Sequence, residues 1–597
     1  MPSASVAVRT PNEPQTAPWL EHYPDCVPHS LTYPDHPTWW LLAESARNFA
    51  DRVAVHYFHE RITYAELFAN ARRFASALVK LGVQPGDRVG LLMPTMPEYL
   101  TAIYGAWMAG VVVVSLSPLM VAEEISGLLA ATDCRIVIGL DMLGSLVSQA
   151  SQRPQHWIEV SIAPRLPTWK RFVYTVAKWK RMNFHAMPSD VRHHAFDDFV
   201  SQGDANFEPG DSALDSPAFI LPTGGTTGKP KAVVLSHRNL VANAWQITHW
   251  AGCRVGVESV LAVLPFFHSY GLSTCATGGV AMAATLTLFH RFDPHITLNL
   301  IEKHQPSIFY TVPAMLSVLN QHLATGPRNV KSLRYVISGG APLAGAIAEE
   351  FSNHTGAAVV EGYGLSEASP VTHVGPLDHT DRPGTIGLPI PDTFARIVDP
   401  DIGDRDLPPG EVGELIVRGP QIMLGYWNNP EETARVLRDG WLFTGDLAVR
   451  DADGFFKIVD RKKDLIITSG FNVYPSDVEY VVRQYPGVKD CAVVGCPDPQ
   501  RGEVVKALLV LDKPSGKRFD RKSFDSFLRK HLSKHKVPRL VEIVTELPKN
   551  FLGKVLRWCL REARSPRNLH AEPGDETTDD PTKSNELTEQ AIPVGAD

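Results

Sequence analysis

The sequence has little cysteine, no surplus of positive charge and no stretch that must be read as a membrane span. Seven cysteines are scattered over 597 residues, an odd number without paired spacing. That suits a reducing compartment and gives no zinc signature. Lysine and arginine number 58 against 65 acids, a net charge of −7, which argues against bulk nucleic-acid binding because polyanions are held by basic surfaces. The opening MPSASVAVRTPNEPQTAPW carries no apolar core of a secretory signal, so a cytoplasmic protein is expected. Two runs lack charge, Thr101–Ala122 and Ser269–Phe289. Small and polar residues interrupt both, and both read as buried α/β segments rather than spans. No internal repeat is present.

What is there is ordinary soluble composition, 44% hydrophobic and 21% charged, over a length that suggests about four domain-sized units. Residues 1–35 are polar and proline-rich and read as a loosely packed arm. From residue 36 to 460, helical patterns alternate with apolar runs, the signature of α/β layers. Arg61–Gly82 reads as an amphipathic helix, Asp87–Leu92 and Arg135–Gly139 as strands. A smaller unit, 461–564, follows, in which Pro475–Glu479 reads as a capping box opening a helix. From 565 to 597 the chain holds eight acids against one lysine and one arginine, an acidic tail expected to be disordered.

The chain is organised around Leu221–Leu240, LPTGGTTGKPKAVVLSHRNL. Glycines allow positive φ and turn N–H groups toward an anion, while hydroxyls and a lysine add donors and charge. Thr223, Gly224, Gly225, Thr226, Thr227, Gly228 and Lys229 thus form a candidate phosphate cradle. It is not the strand-to-helix P-loop: the glycine spacing is one residue short, and Pro230 stands where Ser or Thr should meet magnesium. A β-branched run on the far side predicts a hairpin between two strands.

Further candidates follow in order. His268 ends the apolar run Leu264–Phe267. Gly340, Ala341 and Pro342 lie in a small-residue turn that a flat group can approach closely. Glu361, Gly362, Tyr363, Gly364, Ser366 and Glu367 sit together: Tyr363 offers a ring to a base, Ser366 a hydroxyl to phosphate, and Glu367 a hard oxygen to magnesium. Asp446 is suited to accept two ribose hydroxyls. Lys554 follows Gly553 in a segment able to reach into a cleft. A separate segment, Ser161–His185, carries Arg165, Lys170, Arg171, Lys178, Lys180 and Arg181 with no acid, interleaved with aromatics. It reads either as an interfacial helix on anionic lipid or as a solvated cap.

In this order the motifs resemble those of the adenylate-forming superfamily, the AMP-dependent acyl-CoA synthetases, over about Trp19 to Arg564. The departures are Pro222 for an aromatic, Ala232 for glycine and Ser366 for threonine. Within the superfamily, WLEHYPDCVPHSL, IVDRKKDLIITSGFNVYPSDVEYVV and HLSKHKVPRLVEIVTELPKNFLGKVLR look most like bacterial long-chain fatty acid–CoA ligases. The resemblance implies an α/β fold with a large multi-subdomain N-terminal domain and a small mobile α+β C-terminal domain. It implies fatty acid, ATP and CoA as substrates, with Mg2+ held by Thr223 and Glu367. It places adenine against Gly340–Pro342, the ribose between Asp446 and Arg461, and His268 in the acyl site. Lys463 becomes the hinge, Ser469, Gly470 and Phe471 the CoA face, and Lys554 the lysine bridging carboxylate and α-phosphate. Carrier-protein loading, a medium-chain or aryl acid, or a silent acyl- or nucleotide-binding protein are the alternatives. No nucleic acid is expected. A peripheral contact with the inner membrane face and a homodimer are compatible with this reading.

Overall fold

The structure is a computed structural model. It describes residues 17–166, 168–169, 171–176, 188–210, 212–223, 231–252, 254–326, 328–403, 405–512, 519–549 and 554–562. Two large sheets dominate. One has nine strands, and its central six (Ala358–Gly364, Tyr335–Ser338, Ile308–Thr311, Ser259–Ala262, Thr285–Leu288, Val53–Tyr57) run parallel. The other has eight, with Pro217–Thr223, Val112–Ser115, Arg88–Leu92, Ile136–Leu140, His156–Val160 and Arg192–Ala195 parallel. Most of these strands are valine-, isoleucine- or leucine-rich and buried on both faces, as helix-covered parallel sheets must be, whereas the edge strand Arg192–Ala195 is polar and mostly exposed. The fold is α/β. A five-stranded sheet (Phe394–Val398 through Phe456–Arg461) and a second one in the small C-terminal unit (Ile466–Val544) complete it.

The run Ser269–Phe289 is internal, and Thr101–Ala122 is internal as far as Leu116, with Leu119 and Val121 exposed. Thr101–Met108 closes the helix Pro97–Met108, followed by the buried strand Val112–Ser115. Ser269–Phe289 holds short helical turns and the strand Thr285–Leu288. Among the described residues no helix is long and apolar enough to cross a membrane.

Several expectations need correction. The helix expected over Arg61–Gly82 runs Tyr64–Lys80; Arg61–Thr63 belong to a strand, and Thr63 caps the helix in a reciprocal pair with Glu66. The arm is not loosely packed from residue 17 onward, because Trp19, Tyr23 and Val27 are buried against the large region. The expected capping box at Pro475–Glu479 does not form. Ser476 instead donates its N–H to Asp460 Oδ2 at 2.9 Å and its hydroxyl to Val459 O at 2.7 Å. Glu479 accepts from Val493 N and Arg557. Arg165 is not free to meet lipid, since it pairs with Glu98 at 2.6 Å and Glu60 at 2.7 Å. Lys170, Lys178, Lys180, Arg181 and the acidic tail lie outside the described residues.

Candidate active site

A cleft of about 1770 Å³ opens where the parallel strands of the nine-stranded sheet end at their carboxyl edge and the small unit closes over them. This is the expected place for a ligand in an α/β sheet. Three of the sequence motifs are each delivered there by one strand. Ser259–Ala262 leads to His268, Tyr335–Ser338 to the Gly340–Pro342 turn, and Ala358–Gly364 carries Glu361–Gly364 before Ser366 and Glu367. Two glycines are demanded by the backbone. Gly340 has φ +80°, and a Cβ on Gly364 would lie 2.0 Å from Pro370 O.

The phosphate-cradle segment joins two antiparallel strands, Pro217–Thr223 and Lys231–Ser236, so it is a hairpin and not a strand-to-helix turn. Thr223 lines the cleft and gives its hydroxyl to Lys231 O at 3.3 Å. Gly224, Gly225, Thr226, Thr227, Gly228 and Lys229 lie outside the described residues. Lys231 pairs with Glu432 and lies 5.1 Å from the Tyr426 ring centre. The Tyr426 hydroxyl donates to Glu367 Oε1 at 2.8 Å, which orients that carboxylate. Ser366 Oγ sits 3.3 Å from Ser269 Oγ.

At the opposite wall Asp446 and Arg461 face each other in antiparallel register and pair at 2.7 Å. Tyr363 donates its hydroxyl to the other Asp446 oxygen at 2.6 Å. Burial and the Asp446 carboxylate hold that phenol well above its ordinary range, so it stays a donor. Glu361 takes Leu343 N–H at 2.9 Å; burial raises its carboxyl to about 7, and Asp381 adds to the rise. Asp381 itself is raised to about 6 by burial.

His268 is lowered to about 4 by burial and is neutral at pH 7. Its Nδ1 accepts from Tyr270 N at 3.2 Å, so the proton sits on Nε2, where the imidazole acts as a donor. Part of the lining of the cleft, its apolar branch, is made by Ile247, Trp250, Ala251, Val371, Val374 and Leu377. No sequence signal singled these residues out. Trp250 is the last residue of the buried helix His237–Trp250 and looks like core.

The small unit contributes Lys554, which projects into the open cleft. Crowding by protein and the nearby Arg461 pull its ammonium down to about 8. Lys463 lies beside it in the turn Lys462–Asp464, its pKa likewise lowered by burial. Ser469, Gly470 and Phe471 are not brought to the cleft. They form the tip of an exposed hairpin, Phe471 stacked on His535 with 4.9 Å between centroids.

Magnesium was expected at Thr223 and Glu367. No group of three or more metal-binding His, Cys, Asp or Glu side chains occurs among the described residues. Two oxygen donors facing one cleft nonetheless fit an ion that keeps waters and takes the rest of its shell from substrate phosphates.

Residues 42–427 match the family described as AMP-binding enzyme, and residues 477–554 match the AMP-binding enzyme C-terminal domain. A long-chain-fatty-acid–CoA ligase of Bacillus subtilis strain 168 is 37% identical over 91% of this chain and 98% of its own length. One from Escherichia coli O6:H1 is 35% identical over the same shares. Among solved structures, ATP-bound MatB from Rhodopseudomonas palustris superposes with a TM-score of 0.74 at 30% identity, covering 88% of this chain and 98% of that one.

Proposed function

This chain belongs to the AMP-binding enzyme family, and on that premise we propose that it is an ATP-dependent ligase converting a long-chain fatty acid to its CoA thioester. The observation that carries the reading is a single cleft joining an apolar branch to a polar end. The branch takes an alkyl tail, and the polar end offers Asp446 and Arg461 to a ribose and Lys554 to an anion.

In the first step a carboxylate oxygen attacks the α-phosphorus of ATP, an O–P bond forms, and the bond to pyrophosphate breaks. Both partners are anions, so the chain must supply positive charge and fixed donors. Lys554 bridges carboxylate and α-phosphate, His268 donates from Nε2 near the carboxylate, and the family resemblance assigns Lys229 to offsetting the phosphate charge. Thr223 and Glu367 would hold Mg2+, which supplies charge neutralisation on the phosphates. In the second step the CoA thiol, releasing its proton to solvent, attacks the acyl carbon, and the C–O bond breaks with the oxygen leaving on AMP. Rotation about Lys463 exchanges Lys554 for the Ser469–Phe471 hairpin between steps, a gating of one site for two reactions.

Incubation with ATP, CoA and a panel of straight-chain, branched and aryl acids tests this. AMP and acyl-CoA should accumulate with the long straight-chain acids. Accumulation only with aryl acids, or acyl-AMP that transfers to a carrier protein and not to CoA, would overturn it.

A membrane contact is the second part of the reading, favoured by the helical residues 171–176 and their flank. Trp169 and Phe172 are 64% and 70% exposed, while Tyr174 is buried and gives its hydroxyl to Asp141. An anchored helix presenting aromatics and Arg171 outward suits an anionic lipid surface. Sedimentation with anionic vesicles should fall when Trp169 and Phe172 become Ser; equal sedimentation of this variant would make the segment a solvated cap.

A further inference from the structure

The arm that precedes the large region packs against one side chain of the apolar branch. Trp250 lines that branch, is 2% exposed, and donates its indole N–H to Gly375 O at 3.1 Å. Gly375 directly follows the strand Val371–Val374, whose ends also line the branch. The other side of the indole is met edge-on by the Tyr23 ring, centroids 5.1 Å apart at 86°. Tyr23 is outside the lining of the cleft, so it reaches the branch through Trp250.

Tyr23 is fixed on every side. Its hydroxyl donates to Pro389 O, and burial with the nearby Asp392 holds the phenol protonated. Upstream, Trp19 packs edge-on against Phe456 and is buried. Downstream, one carboxylate gathers the arm: Asp392 accepts from Ser30 Oγ at 2.6 Å, Leu31 N at 2.9 Å and Tyr33 Oη at 2.7 Å. An indole held between a backbone carbonyl and a clamped phenol ring has one rotamer available, because a dense interior offers no space to swing into.

We propose that Tyr23 sets the length of acyl chain the enzyme accepts, by holding the Trp250 indole as the end wall of the apolar branch. The inference rests on the fatty-acid reading of that branch. Tyr23 is a positioning residue: it touches neither substrate nor nucleotide, and it acts through the shape of the wall. Removing its ring lets the indole tilt into the vacated space, and the branch lengthens.

The test is kcat/KM over a series of saturated straight-chain acids for wild type, Tyr23→Ala, Tyr23→Leu and Tyr23→Phe, with melting temperature and the KM for ATP measured alongside. In Tyr23→Ala the optimum should move to longer acids, each newly buried methylene improving kcat/KM for those acids by about fourfold. The gain should sit in the acid's KM, with the KM for ATP unmoved. Tyr23→Leu should shift the optimum in the same direction by less, and Tyr23→Phe, which keeps the ring, should retain the wild-type optimum. If Tyr23→Ala does not fold, Tyr23→Leu decides. An unchanged optimum in a folded variant, or an equal loss on every acid, overturns the inference and leaves the ligase reading intact. A wild-type enzyme inactive on the whole series removes the fatty-acid reading itself.

Discussion

The small C-terminal unit shows two different faces to the rest of the molecule. One presents Lys554 to the cleft, near Arg461 and Asp446, with its side chain exposed to the cleft's solvent. The other presents the Ser469–Phe471 hairpin to solvent, with Phe471 57% exposed. Under the proposed function both are needed at the same acyl group, one for each step, and in this orientation only Lys554 is within reach. The large region has no such division. Its groups come from two sheets, Tyr363 from the nine-stranded one and Asp446 and Arg461 from the antiparallel five-stranded one, and these three are locked together by ion pair and hydrogen bond. Under that reading the fixed half would bind the nucleotide, and the turning half would decide which reaction it undergoes.

The largest expected effect comes from removing the inward face. Lys554→Ala should lower acyl-adenylate formation by at least about a hundredfold, the scale of losing one charged stabiliser of a transition state. Thioester formation from supplied acyl-adenylate should stay within a few fold. Rapid-quench measurement of the two half-reactions checks this, and an equal fall in both would erase the distinction between the two faces.

A pH series sharpens the same contrast. Lys554 must be protonated to bridge two anions, and its pKa in the free enzyme is about 8. The kcat/KM of adenylation should therefore fall as pH rises through about 8, because that parameter reports the free enzyme's ionisations. Glu361, raised to about 7, faces the adenosine end used in both steps and should leave its mark on both profiles. A limb near 8 that also appears with supplied acyl-adenylate would assign it to something other than Lys554.

The outward face is tested at Gly470. Its φ is +81°, and nothing lies within 4 Å of the place a Cβ would take, so a substitution meets backbone strain alone. Strain of about 1–3 kcal/mol should reshape the hairpin tip in Gly470→Val and slow thioester formation by about tenfold or more. Adenylation should be nearly unchanged, as read by pyrophosphate release. Slowing of adenylation to the same degree would place the hairpin in the first step too.

How much of this was legible in the residues depends on the range of the interaction. The hairpin at Thr223–Lys231 was legible because small, flexible residues stand between two β-branched runs, a local signal. The grouping of Glu361–Glu367 was legible for the same reason. The helix start at Pro475 misled because its acceptor, Asp460, lies fifteen residues upstream of the helix on another sheet. Arg165 looked like a free surface cation because nothing local reveals Glu98, and the apolar branch stayed hidden because Trp250 is indistinguishable from core until the fold puts a cleft beside it.

The smallest expected effect belongs to the contact that holds the two halves in this orientation. Asp460 lies on the strand Phe456–Arg461, paired with Leu447 in the sheet of the large region. It is 6% exposed and accepts from Arg461 N at 2.8 Å and from Ser476 N at 2.9 Å. Ser476 lies in the first turn of the helix Pro475–Arg483, beyond Lys463, so a carboxylate of the large region satisfies an open N–H of a small-unit helix. Arg557 approaches the same carboxylate at 3.9 Å. Turning about Lys463 would separate Asp460 from Ser476 and Arg557. Asp460→Asn keeps the shape and one acceptor oxygen but removes the charge, weakening the contact by about 1 kcal/mol. Adenylation should fall about fivefold, while thioester formation from supplied acyl-adenylate should hold or rise, because the competing orientation is relieved of a rival. A matched fall in both half-reactions, or a lowered melting temperature that accounts for the whole loss, would make Asp460 a structural cap with no bearing on which face of the small unit is turned inward.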